Sequence, residues 1–170
     1  MSDIALRFAQ VGKHYAGVPA LSQVSLEVKR GGFFGLVGEN GAGKTTLIKC
    51  LLDFCDIDGG AIDIFNTPHR ATAARARLAY LPERFNPPFY LTGRDFVRYM
   101  LELYRAPYDE DRVARLFSAL DLDRSALDRP ARAYSKGMTQ KLGLAACLLS
   151  GKDLYVLDEP AGGLDPRARA

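Results

Sequence analysis

Residues 38–46 read GENGAGKTT, and the pattern G-x-x-x-x-G-K-[ST] runs through them from Gly38 to Thr45. The apolar run FFGLV stands directly before it, at residues 33–37, and predicts a strand that is buried on both faces. The apolar residues that follow have the spacing of one helical face: Leu47, Ile48, Leu51 and Leu52. This order of strand, glycine-rich loop and helix predicts the central unit of a P-loop α/β fold.

The residue types in this loop suit the binding of phosphate groups. We expect Gly38, Gly41 and Gly43 to let the backbone take turns that a Cβ would forbid, so that the loop amides point inward and surround an anion. Lys44 is expected to contact the β- and γ-phosphates, and the hydroxyl of Thr45 is placed to ligate Mg²⁺. The remaining candidates for nucleotide contact in this stretch are Glu39, Asn40 and Ala42, and Thr46 is expected to have a secondary role.

A second motif, LYVLDEP, occupies residues 154–160 and consists of an apolar run that ends in two carboxylates, Asp158 and Glu159. The run predicts a buried strand, and ligand sites of α/β sheets lie at the carboxyl ends of their strands. Together with the glycine-rich loop, these carboxylates predict a site that holds a nucleoside triphosphate with magnesium and positions a base beside it.

Composition limits the other classes of function. The chain has 170 residues and a net charge of +3, which fits one soluble domain and gives little support to nucleic-acid binding. Its longest uncharged stretch in the C-terminal half, residues 142–151, is far too short to span a bilayer. The start, MSDIALRF, does not resemble a secretory signal. The three cysteines, Cys50, Cys55 and Cys147, are expected to be buried thiols in a reducing cytoplasm.

The rest of the chain predicts an N-terminal antiparallel β subdomain and an inserted α-helical subdomain. Alternating apolar residues begin at Ile4 and again at Val24, which is typical of half-exposed strands. Residues 84–132 carry two helical patterns, with Thr92 and Asp109 as N-cap residues. Ser135 should cap a helix over residues 136–149, with Gly151 just beyond its end. We therefore expect a single domain (1–170), with an ATPase core at 1–83 and 133–170 around the helical insert at 84–132.

This set of motifs resembles the ATP-binding cassette, the nucleotide-binding subunit of ABC transporters, over essentially the whole chain. GENGAGKTT matches the phosphate loop of the family, and LYVLDEP matches its Walker B strand. Tyr15, in KHYAG, matches the aromatic residue that stacks on adenine, and YLPER at residues 80–84 falls at the glutamine loop. YSKGMTQKL at residues 134–142 resembles the signature sequence, and residues 163–165, GLD, match the loop after the Walker B strand.

The resemblance implies an ATPase that works by positioning and electrostatics, with ATP and Mg²⁺ as its cofactors. Asp158 would hold Mg²⁺ directly or through water, and Glu159 would act as the general base on the attacking water. Ser135 and Gly137 would open a helix whose N-terminus faces the γ-phosphate that is bound to a second subunit. The working unit would then be a head-to-tail dimer with two ATP molecules at its interface.

Two positions depart from the family pattern. Glu83 stands where the family has glutamine, and we interpret it as a subfamily variant, because a carboxylate can still ligate Mg²⁺ or hold the catalytic water. The signature carries Lys136 and Met138 where glycine and glutamine are commonest. With Gln140 it resembles the form found in drug-efflux and ABC-2-type exporters.

The end of the chain also departs from the pattern. Asp165-Pro166 is typical of the start of a helix, but only residues 167–170 follow. The family requires a switch histidine downstream of Glu159, whereas His14 and His69 both lie upstream. We therefore expect a cassette without its C-terminal part, and little or no ATP hydrolysis by these 170 residues alone.

The expected function is that of an ATP-binding subunit that drives export or import through a transmembrane permease, on the cytoplasmic face of the cell membrane. One alternative is a catalytically silent nucleotide-binding fragment, and another is a soluble ABC ATPase of translation or DNA repair. The latter usually has paired cassettes or a coiled-coil insert. A GTPase is disfavoured, since the sequence lacks N-K-x-D and its D-x-x-G match at residues 56–59 comes too early.

Overall fold

The structure is a computed structural model that describes residues 3–160. These residues form two compact units, the first ending at Leu78 and the second beginning at Ala79. One antiparallel sheet organises the first unit, with the strand order β2-β1-β3-β4. Its elements are β1 (Ile4–Tyr15), β2 (Val18–Lys29), α1 (Lys44–Leu51), β3 (Gly59–Ile64), β4 (Thr67–Pro68) and α2 (Thr72–Arg75).

The long hairpin of β1 and β2 confirms the predicted N-terminal antiparallel sheet. Tyr15 pairs with Val18 across a two-residue turn, in which Ala16 and Gly17 have φ angles of 48° and 81°. Two positive φ angles in a row are those of a turn whose twist matches that of the flanking strands. The turn therefore places Tyr15 at the tip of the hairpin.

Residues 33–37 do not form the buried strand that their apolar sequence predicts. Neither of the two sheets within residues 3–160 includes them, and the side chains of Phe33 and Val37 have relative exposures of 107% and 92%. The prediction is therefore wrong for the described residues. The physical reason is that an apolar run becomes a buried strand only when neighbouring strands supply its backbone hydrogen bonds and other elements cover both its faces.

Helices dominate the second unit, which also holds a two-stranded parallel sheet of β5 and β6. Residues 84–132, the expected helical insert, contain α3, α4 and two short 3₁₀ segments at Arg124–Asp128 and Ala131–Ala133. The named elements are β5 (Leu78–Leu81, which begins at the last residue of the first unit), α3 (Gly93–Tyr104), α4 (Glu110–Ala119), α5 (Lys136–Leu149) and β6 (Leu154–Leu157).

Helix α5 is the centre of this unit because it is buried from two sides. On one side Leu142 and Ala146 join a cluster with α3 and α4, in which Phe96 and Phe117 are also buried. On the other side Cys147 packs with Ala79 and Leu81 of β5. This double burial fixes α5, and with it the position of its N-terminal residues.

The helices of the second unit begin where the sequence predicts. The side chains of Thr92, Asp109 and Ser135 accept hydrogen bonds from backbone N–H groups at the starts of α3, α4 and α5, at 3.1, 2.8 and 3.2 Å. Helix α5 covers the predicted residues, and Gly151 beyond it has a φ of 63°. Within residues 3–160, no helix has both the length and the hydropathy needed to cross a membrane.

Candidate functional site

The phosphate loop (residues 38–45) ends where helix α1 begins. Gly43 precedes the helix with a φ of 88°, and the N–H of Leu47 donates to its carbonyl oxygen at 2.8 Å. The first turn of α1 contains Lys44, Thr45 and Thr46, and none of these carries a negative charge. Gly43 has no side chain with which to cap the helix, so its first N–H groups remain available to an anion.

Lys44 folds back across the phosphate loop. Its Nζ atom donates hydrogen bonds to the carbonyl oxygens of Gly38 and Glu39, at 2.6 and 2.8 Å. A turn holds the middle of the loop, where the N–H of Ala42 donates to the oxygen of Glu39 at 3.2 Å. The ammonium group therefore lies over the loop, in the place where it can meet a phosphate. The hydroxyl of Thr45 is exposed beside it.

The three glycines of the phosphate loop are not equivalent. Gly41 and Gly43 have φ angles of 86° and 88°, in the region that only glycine enters freely. A Cβ on Gly43 would also lie 2.5 Å from the carbonyl oxygen of Ala20 in β2. Gly38 has no such φ, and its Cβ would make an ordinary 3.5 Å contact with the Cβ of Ala42. The expectation that a Cβ is forbidden at Gly38 is therefore wrong.

The loop residues and α1 fit an anionic, metal-bound phosphate chain. The first turn of α1 offers uncapped backbone N–H groups, a lysine and a threonine hydroxyl, and Gly41 and Gly43 have a backbone conformation that residues with a Cβ rarely adopt. These are the donors that a triphosphate requires, and a threonine hydroxyl is a suitable oxygen ligand for Mg²⁺. The residues present thus fit both ATP and its metal ion.

Tyr15 lies in the same unit and reaches the end of α1. Its hydroxyl donates to the Sγ atom of Cys55 at 3.7 Å, and Lys13 Nζ lies 5.5 Å from its ring centroid. The hydrogen bond to Cys55 raises the pKa of Tyr15, burial raises it further, and a hydrogen bond with Thr46 opposes both. The ring remains 48% exposed and open to a flat partner.

The two carboxylates of the second motif follow β6 directly. Asp158 is 9% exposed, and its N–H donates to the carbonyl oxygen of Leu81 in β5 at 2.9 Å. Glu159 is exposed and has a φ of 47°, an uncommon value for a residue with a side chain. The end of β6 therefore turns sharply at Glu159 and presents its carboxylate to solvent.

Glu83 lies just beyond the end of β5 and is exposed. Burial raises the pKa of Tyr80, and the negative charges of Asp158 and Glu83 raise it further. The charges of Glu83 and Asp158 thus both act on one tyrosine of β5. Tyr80 carries no functional signal in the sequence, since it is an aromatic residue in a short apolar strand.

Ser135 and Gly137 lie at the N-terminus of α5. Ser135 is exposed, and its hydroxyl accepts the hydrogen bond from the Met138 N–H. The predicted loop at residues 163–165 and the predicted helix start at Asp165-Pro166 lie outside the described residues.

Comparison with known proteins identifies relatives that match most of this chain. The family described as ABC transporter matches residues 21–162. An uncharacterized ABC transporter ATP-binding protein of Synechocystis sp. is 39% identical, over 89% of this chain and 44% of its own length. The daunorubicin resistance ATP-binding protein DrrA3 of Streptomyces coeruleorubidus is 34% identical, over 100% of this chain and 55% of its own. The chain thus spans about half the length of these relatives.

A solved structure described as the ATP-binding subunit of an ABC transporter superposes with a TM-score of 0.84. It is 30% identical, and the match covers 97% of this chain and 70% of that one. The match covers nearly all of this chain, so each of the two units has the fold of the corresponding part of that structure.

Proposed function

Because this chain belongs to the ABC transporter family, we propose that it is the ATP-binding subunit of a transporter, and that it binds and hydrolyses ATP in a head-to-tail dimer. The observation that carries the proposal is the phosphate loop, with Lys44 folded over it and an uncapped helix behind it. Tyr15, whose ring is 48% exposed in the same unit, supports an adenine nucleotide.

The residues of the first unit would hold the nucleotide. The amides of residues 38–46 and the Lys44 ammonium bind the phosphates, and the Tyr15 ring stacks on adenine. Thr45, Asp158 and Glu83 are the proposed ligands of Mg²⁺. The metal ion supplies charge neutralisation at the phosphates when it is bound.

The residues of the second unit would carry the chemistry. Glu159 accepts a proton from the attacking water, and its exposed position after β6 leaves the carboxylate free for that contact. Ser135 and Gly137 offer the N-terminus of α5 to the γ-phosphate on a second subunit. The site is then complete only in a dimer.

We further propose that the dimer acts on the cytoplasmic face of the membrane and drives a transmembrane permease. The similarity to Nod factor export ATP-binding proteins, at 34–36% identity over 99% of this chain, favours export as the direction. The Met138-x-Gln140 form of the signature agrees with that choice, since it resembles the form found in exporters.

A second candidate is a nucleotide-binding chain without turnover. The observation that favours it is the exposed segment at residues 33–37, directly before the phosphate loop. A loop whose preceding segment is unpaired is less rigidly held, and catalysis by positioning depends on a rigid frame.

Calorimetric titration with ATP and magnesium tests the binding proposal. We expect Lys44→Ala to weaken binding by about 10- to 100-fold, because a charge-assisted hydrogen bond contributes about 1.5–3 kcal/mol. Lys49→Ala is the matched control, since Lys49 is exposed at the other end of α1 and should leave affinity unchanged. Equal affinities of wild type and Lys44→Ala would contradict the proposal. Magnesium-dependent phosphate release by the wild type would exclude the second candidate.

A further inference from the structure

Two cysteines lie in contact at the end of helix α1. The Sγ atoms of Cys50 and Cys55 are 3.5 Å apart. The chain reverses direction after the helix, because Asp53 has a left-handed φ of 61° and the N–H of Phe54 donates to the carbonyl oxygen of Lys49 at 2.9 Å. This reversal returns Cys55 onto the last turn of the helix that begins at the phosphate loop.

The two thiols differ in access and in their neighbours. Cys50 is fully buried, whereas Cys55 is half-buried and accepts the hydrogen bond of the Tyr15 hydroxyl at 3.7 Å. Tyr15 lies 40 residues away along the chain, so no local sequence pattern reveals the contact. One thiol of the pair therefore touches the residue proposed to bind adenine.

The environment of Cys50 determines which thiol reacts first. Burial and the hydrogen bond with Cys55 raise the pKa of Cys50 to about 12; the charge of Asp58 also raises it, and that of Lys13 lowers it. Cys50 is thus a neutral thiol near pH 7 and a poor nucleophile. A reagent in solution meets Cys55 first.

We propose that Cys50 and Cys55 form a redox modification site that reacts with low-molecular-weight disulfides. Closure of the Cys50–Cys55 bond displaces the sulfur that accepts the Tyr15 hydroxyl, and it thereby weakens nucleotide binding. The effect on nucleotide rests on the proposed function, whereas the thiol chemistry does not.

The reaction is a two-step thiol–disulfide exchange. The Cys55 thiolate attacks one sulfur of the small disulfide, which forms a mixed disulfide and releases one thiolate. Cys50 then loses its proton as it attacks the Cys55 sulfur, and it releases the second thiolate; because its pKa is raised to about 12, this second step is the slower one. The two thiols of the chain are oxidised by two electrons, the small disulfide is reduced to two thiols, and the two protons pass to the leaving groups.

The geometry allows this closure with a small movement. A disulfide has an S–S distance of about 2.0 Å, so the sulfur atoms must approach by about 1.5 Å. Cys50 is held in α1, whereas Cys55 lies in the segment after it and can move. A movement of this size by Cys55 changes its contact with Tyr15.

The first experiment treats the reduced 170-residue chain with oxidised glutathione and follows each thiol by alkylation, tryptic digestion and mass spectrometry. We expect the peptide of residues 50–70 to become lighter by two hydrogen atoms, and Cys147, which packs in the second unit, to stay alkylatable. Cys55→Ser should prevent the change, and Cys50→Ala should stop at the mixed disulfide. Cys147→Ser should behave as wild type. A free Cys55, or a lasting mixed disulfide in wild type, would overturn the site.

The second experiment compares ADP affinity between the reduced and oxidised chains. We expect oxidation to weaken binding by about 3- to 10-fold, the effect of one neutral hydrogen bond. In Tyr15→Phe, which keeps the ring and lacks the hydroxyl, oxidation should change affinity little. A disulfide that leaves the affinity of wild type unchanged would overturn the link to Tyr15. If the reduced chain binds no nucleotide, the proposed function fails, while the first experiment still decides the thiol pair.

Discussion

The three glycines of the phosphate loop differ in their backbone conformation and in the atoms around them. Gly43 combines a positive φ with backbone of β2 next to its Cα, because a Cβ would lie 2.5 Å from the Ala20 carbonyl oxygen. Gly41 has a similar φ, but no heavy atom of the described residues lies within 4 Å of its Cβ position. Gly38 has neither constraint. Alanine substitutions should therefore differ in cost at these three positions.

We predict a graded loss of stability from alanine at these three glycines. Gly38→Ala should leave the free energy of unfolding nearly unchanged. Gly41→Ala should lower it by about 1–2 kcal/mol, the cost of a left-handed backbone with a Cβ. Gly43→Ala should cost more, since its backbone must also move away from β2. Urea unfolding followed by circular dichroism measures all three, and equal losses at Gly38 and Gly43 would contradict the local geometry.

Candidate site residues were easier to select from the sequence than their surroundings were to predict. The motif pattern selected Lys44 as a phosphate contact, and the structure places its Nζ atom on the carbonyl oxygens of Gly38 and Glu39 in the loop. The pattern treated all three glycines alike, since it does not contain the position of β2. The contact of Tyr15 with Cys55 was missed for the same reason, because it depends on how the hairpin and α1 pack.

At the scale of whole elements, helix α5 depends on Ser135, the N-cap residue that directly precedes its first residue. We predict that Ser135→Ala lowers the free energy of unfolding by about 1 kcal/mol, because the Met138 N–H loses its acceptor. Ser135→Asn should retain most of the stability, since asparagine is also a good cap. Ser118→Ala, on an exposed position of α4, is the control and should have no effect or a slightly stabilising one. Stability loss with Asn as large as with Ala would contradict a capping role.

Helix α5 was predictable because its signals are local, whereas the structure of residues 33–37, before the phosphate loop, was not. The Ser135 cap, the apolar spacing and Gly151 lie within one stretch of the chain and agree with one another. The apolar run at residues 33–37 indicates only that burial is favourable there. Whether it becomes a strand depends on neighbours that the run itself does not contain.

We predict that hydrogen exchange separates residues 33–37 from the sheet beside them. Their amides should exchange within seconds to minutes, while those of β1, which pairs with both β2 and β3, should be protected for much longer. Mass spectrometry of peptic peptides measures the difference, and peptides of α5 provide a second protected reference. Slow exchange at residues 33–37 would show that the segment is paired in solution.

Acidic groups in both units link stability to pH at the scale of the whole molecule. The hydrogen bond from the backbone N–H of His14, and further contacts with His14 and Lys13, lower the pKa of Asp58 in the first unit. Hydrogen bonds from Arg94 and Tyr108 lower the pKa of Glu110 in the second. A lowered folded-state pKa contributes stability above the unfolded value, and this contribution is lost as pH falls through the folded value. Both units should therefore lose stability below about pH 4.

Two buried tyrosines of the second unit make stability depend on pH in the alkaline range. Burial raises the pKa of Tyr104 and of Tyr134 to about 12, so both keep their protons longer in the folded state than in the unfolded state. Their contribution is complete below the unfolded value, about 10, and is lost as pH rises towards 12. We predict that the unfolding free energy of wild type falls between pH 10 and 12 and that Tyr104→Phe makes this fall shallower. Tyr99→Phe, at an exposed position, is the control and should leave the slope unchanged. Urea unfolding at a series of pH values measures the slopes, and equal slopes for wild type and Tyr104→Phe would show that Tyr104 does not keep its proton on folding.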